Sequence, residues 1–143
     1  MTDTTKSEEI ENASALVEVF GAWPSFHDAE VHSLVISRDH SEAPRLDARI
    51  YEFERRSVTD SSGHYSQVNH RFVTLQFTRV AALELGGFNE QNALLALTIE
   101  PGEQSAADPR RWNVTVESSY GVGAAFSCDR IIVREVEPFG EAG

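Results

Sequence analysis

The sequence is poor in cysteine, in basic residues and in long hydrophobic runs, and each deficit argues against a class of protein. Cys128 is the only cysteine among 143 residues, so no intramolecular disulfide can form. No run approaches the roughly 18 apolar residues that a transmembrane helix requires. Residues 1–10 also lack the positive region and apolar stretch of a secretory signal. These deficits predict a cytoplasmic protein without a membrane anchor.

Basic residues are too few for a protein that binds phosphates. Twelve Lys and Arg residues stand against 23 Asp and Glu residues, which gives a formal net charge of −11. Nucleic-acid binding needs a basic footprint, and anionic membrane surfaces attract basic segments, so neither is an expected partner. A basic protein partner fits the charge better. Residues 1–30 hold seven acids and one base, residues 31–80 hold six and seven, and residues 81–143 hold ten and four.

Length and hydrophobic patterning predict one mainly β domain over residues 1–143. Typical domains contain roughly 100–200 residues, and this chain has no linker-like segment or internal repeat. We expect residues 1–5 and 140–143 to be disordered ends. The predicted fold class is α+β, mainly β, with one N-terminal amphipathic helix and one or more predominantly antiparallel sheets of about seven strands.

The helix is predicted from a start signal, a period and a stop signal. Thr5-Lys6-Ser7-Glu8 matches a capping box, and Gly21 suits the position just after a helix. Trp23-Pro24 then breaks the helix, because the residue before proline avoids helical geometry. Between these signals, apolar residues recur at steps of three and four, namely Ile10, Ala13, Val17 and Phe20.

Alternating apolar and polar residues predict the strands. The predicted ranges are 31–38, 46–56, 73–78, 93–100, 112–117, 124–128 and 131–136. The second and third flank the turn-forming residues 60–64 and are expected to form a hairpin. Residues 80–91 are ambiguous, because they suit a short strand followed by a turn at Gly86-Gly87.

The densest polar cluster is residues 27–32, His-Asp-Ala-Glu-Val-His. In a strand, Asp28, Glu30 and His32 share one face, where they could hold a divalent metal or position a water. A small metal-dependent hydrolase centred on His27, Asp28, Glu30 and His32 is therefore one hypothesis. Two others remain open: His27-Asp28 is a buried polar pair that hydrogen-bonds backbone at the start of the first strand, or it contacts a partner.

Other candidate features indicate structure more than chemistry. No zinc-protease helix motif, Cys-x-x-Cys, phosphate loop or nucleophile elbow is present. Gly121-Val122-Gly123 lacks the third glycine of a dinucleotide fingerprint and suits a turn or bulge. Cys128 is expected to be a small packed hydrophobe. Trp23 and Phe26 are expected to anchor the turn between the helix and the first strand in the core.

Three stretches of the chain resemble the immunity protein 50 family of bacterial polymorphic toxin systems. Residues 20–31, with Trp-Pro-Ser-Phe-His-Asp, resemble its N-terminal motif, residues 87–94 its central Phe-Asn-x-Gln-Asn motif, and residues 120–133 its C-terminal glycine-containing strand pair. The family's His-Asp pair falls on His27 and Asp28. Where the central motif can carry a histidine before its glutamine, this sequence has Glu90, which argues against a metal or acid–base role for that motif.

The resemblance implies a cytosolic antidote that binds and neutralises a cognate toxin domain, without enzymatic activity and without a cofactor. We expect an acidic surface to occlude the active site of the toxin. A homodimer, or a self-associating structural protein, is a further alternative. The family-motif residues that could contact a partner are Trp23, Phe26, His27, Asp28, Glu30, Phe88, Asn89, Gln91 and Asn92. The candidate carboxylates for the acidic surface are Glu8, Glu9, Glu11, Glu100, Glu103, Asp108, Glu135, Glu137 and Glu141.

Overall fold

The computed structural model describes residues 9–38, 43–59, 65–102 and 112–138, which form an eight-stranded antiparallel sheet and a short helix. The mainly β fold class is therefore confirmed. The strand beyond the predicted seven is β4, within the ambiguous residues 80–91. The elements are α1 (Ser14–Phe20), β1 (Glu30–Ser37), β2 (Arg45–Thr59), β3 (Tyr65–Thr78), β4 (Ala81–Gly86), β5 (Ala93–Pro101), β6 (Trp112–Tyr120), β7 (Gly123–Cys128) and β8 (Arg130–Pro138).

The sheet curls so that its two ends meet. The strand order is β4-β7-β6-β5-β1-β2-β3-β8, and β3 continues into β4 after two residues while β7 continues into β8 after one. At this corner Thr78 pairs with Arg130, and Ala81 pairs with Ser127. β4, the first strand of the order, thus continues from β3, which pairs with the last strand. β8, the last strand, continues from β7, which pairs with the first. The two ends of the sheet therefore meet, and the sheet encloses its inner face.

The core fills that inner face, as the period-two alternation requires. In β2, Leu46, Ala48 and Ile50 are buried. Their cross-strand partners in β3 are Phe77, Leu75 and Val73, which are also buried. The ring of Phe77 meets that of Phe126 in β7 edge to face, with centroids 5.0 Å apart. Each such burial contributes roughly 1.5–3 kcal/mol, so this inner layer is the main source of stability.

The helix ends where predicted but begins later. Gly21 has φ +84° and its N–H donates to the carbonyl of Val17, so it ends the helix in a left-handed conformation. The helix starts at Ser14, and Ala13 at the cap position offers no side-chain hydrogen bond. The predicted capping box, residues 5–8, lies outside the described residues. In the described part of the chain, no helix is long and apolar enough to cross a membrane.

Residues 10–12 pair with a strand, which corrects the prediction that they are helical. The N–H of Glu11 donates to the carbonyl of Ile131, and its own carbonyl accepts from the N–H of Val133. This parallel bridge covers the outer edge of β8, whose backbone groups would otherwise lack partners. Ile10 and Ala13 are buried beside it, so the apolar period reflects packing on β8 more than a longer helix.

Candidate functional site

The three stretches that carry the family resemblance meet where β1 begins. We call this region the junction: the turn 26–29, the loop 87–92 and the turn 121–122. The N–H of Val31 donates to the carbonyl of Asn92 at 2.9 Å, and the N–H of Leu94 donates to the carbonyl of Ala29 at 2.8 Å. The N–H of Asp28 donates to the carbonyl of Leu94 at 2.9 Å. The first and second stretches are therefore joined through their backbones.

The side chain of Asn92 joins the second stretch to the third. Its Oδ1 accepts from the backbone N–H of Asn89 at 2.8 Å and of Val122 at 3.1 Å, and its Nδ2 donates to the carbonyl of Asn89 at 2.8 Å. The side chain is buried, so these bonds satisfy an amide that could not reach water. Asn92 is thus a structural residue of the junction.

Glycine is required at two contacts within the junction. Gly87 and Gly121 have φ +76° and +92°, a region that side chains rarely adopt. A Cβ atom on Gly87 would lie 2.6 Å from the carbonyl oxygen of Gly121, and one on Gly121 would overlap the carbonyl oxygen of Gln91. The expectation that Gly121 serves backbone geometry is confirmed.

The buried carboxyl group of Glu52 holds the turn 26–29 through a backbone hydrogen bond. Oε2 of Glu52 accepts from the N–H of Phe26 at 3.0 Å, and Oε1 accepts from the N–H of Phe53 at 2.9 Å. Burial raises the pKa of Glu52 to about 7, against the two backbone donors, which lower it. The sequence analysis missed Glu52, although it follows Leu46, Ala48 and Ile50 at an inward position of the same alternation.

His27 and Asp28 point outward from this turn. Their side chains are 55% and 40% exposed, and Nε2 of His27 lies 3.6 Å from Oδ1 of Asp28. Nδ1 of His27 lies 3.0 Å from the carbonyl oxygen of Leu95, which only accepts, so the proton of the neutral ring belongs on Nδ1. The expectation that the His-Asp pair is buried is wrong, because both side chains are exposed, whereas the expected contact with backbone is present between His27 and Leu95.

The four residues of the hydrolase hypothesis do not converge. Asp28 lies in the turn before β1, and a bulge between Val31 and Ser33 interrupts the alternation at His32. The carboxylate of Glu30 accepts from the N–H of Asn92, while the ring of His32 packs edge-on against Phe72. Across the described ranges, no three His, Cys, Asp or Glu side chains are grouped so that they could hold a metal ion.

The remaining family-motif residues divide into buried and exposed sets. Phe26 is fully buried and half-buried Trp23 meets it edge to face, so both anchor the turn as expected. Phe88, Asn89 and Gln91 are exposed on the loop.

Two exposed apolar residues beside the junction were missed. Leu95 contributes the carbonyl that contacts His27, and Tyr120 is the cross-strand partner of Ala93. Bulges in β5 around Leu94 break the alternation there, so periodicity could not place Leu95. The signal in the sequence that points to Tyr120 is its place at the start of the third stretch that resembles the family, directly before Gly121.

Two of the candidate carboxylates already have arginine partners. Glu11 makes a bidentate pair with Arg130, with both N···O distances 2.6 Å, and this contact lowers the pKa of Glu11. Glu137 lies 3.3 Å from Arg49. Glu9, Glu100 and Glu135 are exposed. The other four candidates, Glu8, Glu103, Asp108 and Glu141, lie outside the described residues.

Arginine is confined to three of the eight described strands, and no strand contains lysine. The adjacent strands β4, β7, β6, β5 and β1, which we call the base-free strands, contain no lysine or arginine. Their acidic residues are Glu84, Glu117, Glu100 and Glu30. Each of β2, β3 and β8 contains arginine. Glu30 at the start of β1 pairs with Ala93 in β5, so the turn 26–29, which carries Asp28, lies beside the base-free strands.

Comparison with known proteins gives one match. A family model described as Immunity protein 50 matches residues 12–139. No curated protein and no solved structure matches the chain. The matched range contains the helix, all eight strands and the three stretches of the junction.

Proposed function

Because the chain belongs to the immunity protein 50 family, we propose that it binds a cognate toxin domain in the cytosol and neutralises it by covering the toxin's active site. The partner is a protein, and this chain makes or breaks no bond itself. The observation that supports the finer part of the proposal is the set of base-free strands, five adjacent strands that carry glutamate but no lysine or arginine.

A surface of this kind suits a toxin whose active site is cationic. Carboxylates then occupy the positions where the phosphates of a nucleic-acid substrate would lie. Complementary charges accelerate the encounter of two proteins, and they add coupling energy where the pair is desolvated. An acidic surface therefore both speeds capture of the toxin and competes with its substrate.

The junction supplies the rigidity that such a surface needs. Its loops are fixed by Asn92, by Glu52 and by the close approach of Gly87 and Gly121. A surface that is ordered before binding loses less conformational entropy when the partner arrives. The exposed residues of these loops are therefore presented in one arrangement.

The test is direct binding to a toxin domain that is first identified in the adjacent gene, with the toxin's active site inactivated by mutation. Calorimetric titration should give a 1:1 complex whose affinity falls as salt rises, because added ions screen exposed charges. Absence of a complex contradicts the proposal, and affinity that is independent of salt contradicts its electrostatic part.

Two measurements on the same protein separate the rival hypotheses. A stoichiometric metal ion together with turnover of a small phosphoester would favour the hydrolase centred on His27 and Asp28. A concentration-dependent increase in size, without toxin binding, would favour a self-associating structural protein. The proposal predicts neither result.

A further inference from the structure

We infer that the toxin meets this chain at the exposed side of the junction, with Phe88, Leu95 and Tyr120 as apolar anchors and with Asp28 and Glu90 beside them. This inference rests on the proposed function and names the contact face. The partner it fits is a protein surface with apolar pockets surrounded by lysine or arginine side chains.

The three anchors are exposed although each is large and apolar. Phe88 is 51%, Leu95 48% and Tyr120 51% exposed. Single apolar residues on a surface are ordinary, but a group of them beside one another marks an interaction site. Aromatic side chains in particular supply much of the binding energy at protein interfaces.

The backbone brings the anchors to one place. Phe88 follows Gly87, which lies against Gly121, and Tyr120 directly precedes Gly121. Tyr120 is also the cross-strand partner of Ala93, two residues from Leu95. Because the glycine contact and the Asn92 bonds fix these loops, the anchors are held in place before a partner binds.

The charges around the anchors select the partner. Described residues 81–102 and 112–128 contain Glu84, Glu90, Glu100 and Glu117 and no lysine or arginine. The turn 26–29 adds Asp28 and has no lysine or arginine, although His27 lies 3.6 Å from Asp28. A second copy of this chain would bring acidic residues against acidic residues, which is unfavourable, whereas a cationic toxin would pair with them.

The end of β1 provides a matched control surface. Ile36 is 45% exposed, close to the value for Leu95, and has the same side-chain volume. It lies six residues along β1 from Glu30, which is about 20 Å at the usual rise of a strand. Its neighbours on β2 include Arg45, so its surroundings are not purely acidic.

The first experiment measures the affinity of four single variants for the inactivated toxin domain of the adjacent gene. We expect Phe88→Ala, Leu95→Ala and Tyr120→Ala each to weaken binding about tenfold or more, while Ile36→Ala stays within about twofold. If the unmodified chain binds and the three junction variants bind equally well, the inference is overturned and the proposed function stands. If the unmodified chain does not bind, the proposed function itself fails.

The second experiment uses charge and does not depend on the apolar variants remaining folded. Glu90→Lys should slow association with the toxin domain about tenfold at low salt, because it reverses a charge at the contact. Glu18→Lys makes the same change on an exposed residue of α1 and should leave the rate within about twofold. Equal association rates for the two variants would contradict the inference.

Two further measurements test whether a second copy of the chain, or the chain's own residues 1–8, covers the junction. The first is the size of the chain in solution without toxin. We expect the same mass for the unmodified chain and for Tyr120→Ala. A dimer that Tyr120→Ala converts to a monomer would show that a second copy covers the junction. Tighter toxin binding after removal of residues 1–8 would show that the chain's own start covers it. Either result would overturn the inference.

Discussion

Among the described residues, buried polar or charged side chains are confined to Glu52 and Asn92, and both hold the backbone of the junction. A buried polar side chain that accepts or donates several backbone hydrogen bonds fixes those backbone groups relative to one another. The positions of the exposed His27, Asp28 and Phe88 therefore depend on buried residues that a partner does not contact.

Glu52 should make stability depend on pH in an unusual direction for a carboxyl group. Its pKa of about 7 in the folded protein is higher than the ordinary value of 4.5, so between these values the folded state binds more protons. The free energy of unfolding should then fall as pH rises from 4.5 to about 7, by up to roughly 3 kcal/mol. Urea unfolding of Glu52→Gln should lack this fall.

The matched control for Glu52→Gln is Glu100→Gln, which removes an exposed carboxyl group from β5. This variant should keep the same decrease in stability with pH as the unmodified protein. If both variants show the decrease, Glu52 is not its source.

Asn92→Ala should destabilise the protein by about 2–4 kcal/mol, since it leaves the N–H groups of Asn89 and Val122 without their acceptor in a buried site. Asn113 is exposed on β6, so Asn113→Ala should cost no more than about 0.5 kcal/mol. Chemical denaturation of both variants measures the difference. Equal losses would mean that the Asn92 bonds contribute no stability of their own.

At the scale of elements, local sequence patterns predicted the strands correctly. The prediction was wrong where a segment pairs with a strand distant in the sequence. Alternation placed β2 and β3 because their inward residues pack on one another across a hairpin. The apolar period of three and four residues extended the predicted helix back through Ile10. The sequence does not show that Glu11 pairs with β8, more than a hundred residues later.

Only part of the candidate site was predictable, because local sequence patterns do not show contacts between distant segments. The local sequence marked His27, Asp28 and Gly121, since a His-Asp turn and a glycine before a strand are visible in order along the chain. Alternation places Glu52 inside β2, but only the fold shows its bond to the N–H of Phe26. The contact of His27 with the carbonyl of Leu95 likewise joins residues far apart in the sequence. Contacts between strands cannot be deduced from the spacing within one strand.

The turn between β6 and β7 should tolerate no side chain at Gly121. Gly121→Ala combines a positive φ with overlap on the carbonyl of Gln91, so we expect a loss of more than about 2 kcal/mol and a fall in Tm of roughly 5 °C or more. Gly86 has open space where a Cβ would lie, and Gly86→Ala is the control. Similar thermal unfolding curves for the two variants would contradict the packing described for this turn.

At the scale of the whole molecule, the order of the strands determines where the unevenly distributed charges of the sequence lie. Glu30 pairs with Ala93, so the turn that carries Asp28 lies beside the acidic strand β5. The arginines of β2, β3 and β8 lie in the remaining strands of the order. The adjacent base-free strands thus carry acidic side chains and no lysine or arginine, and a cationic partner can meet them there.

A toxin whose active site is covered loses its activity in proportion to the amount of this chain that is bound. A titration of the catalytic activity of the active toxin domain with increasing amounts of the purified chain tests this. We expect activity to decline linearly and to disappear at one equivalent. A toxin that stays active while bound, or that is silenced by a small fraction of an equivalent, would contradict it.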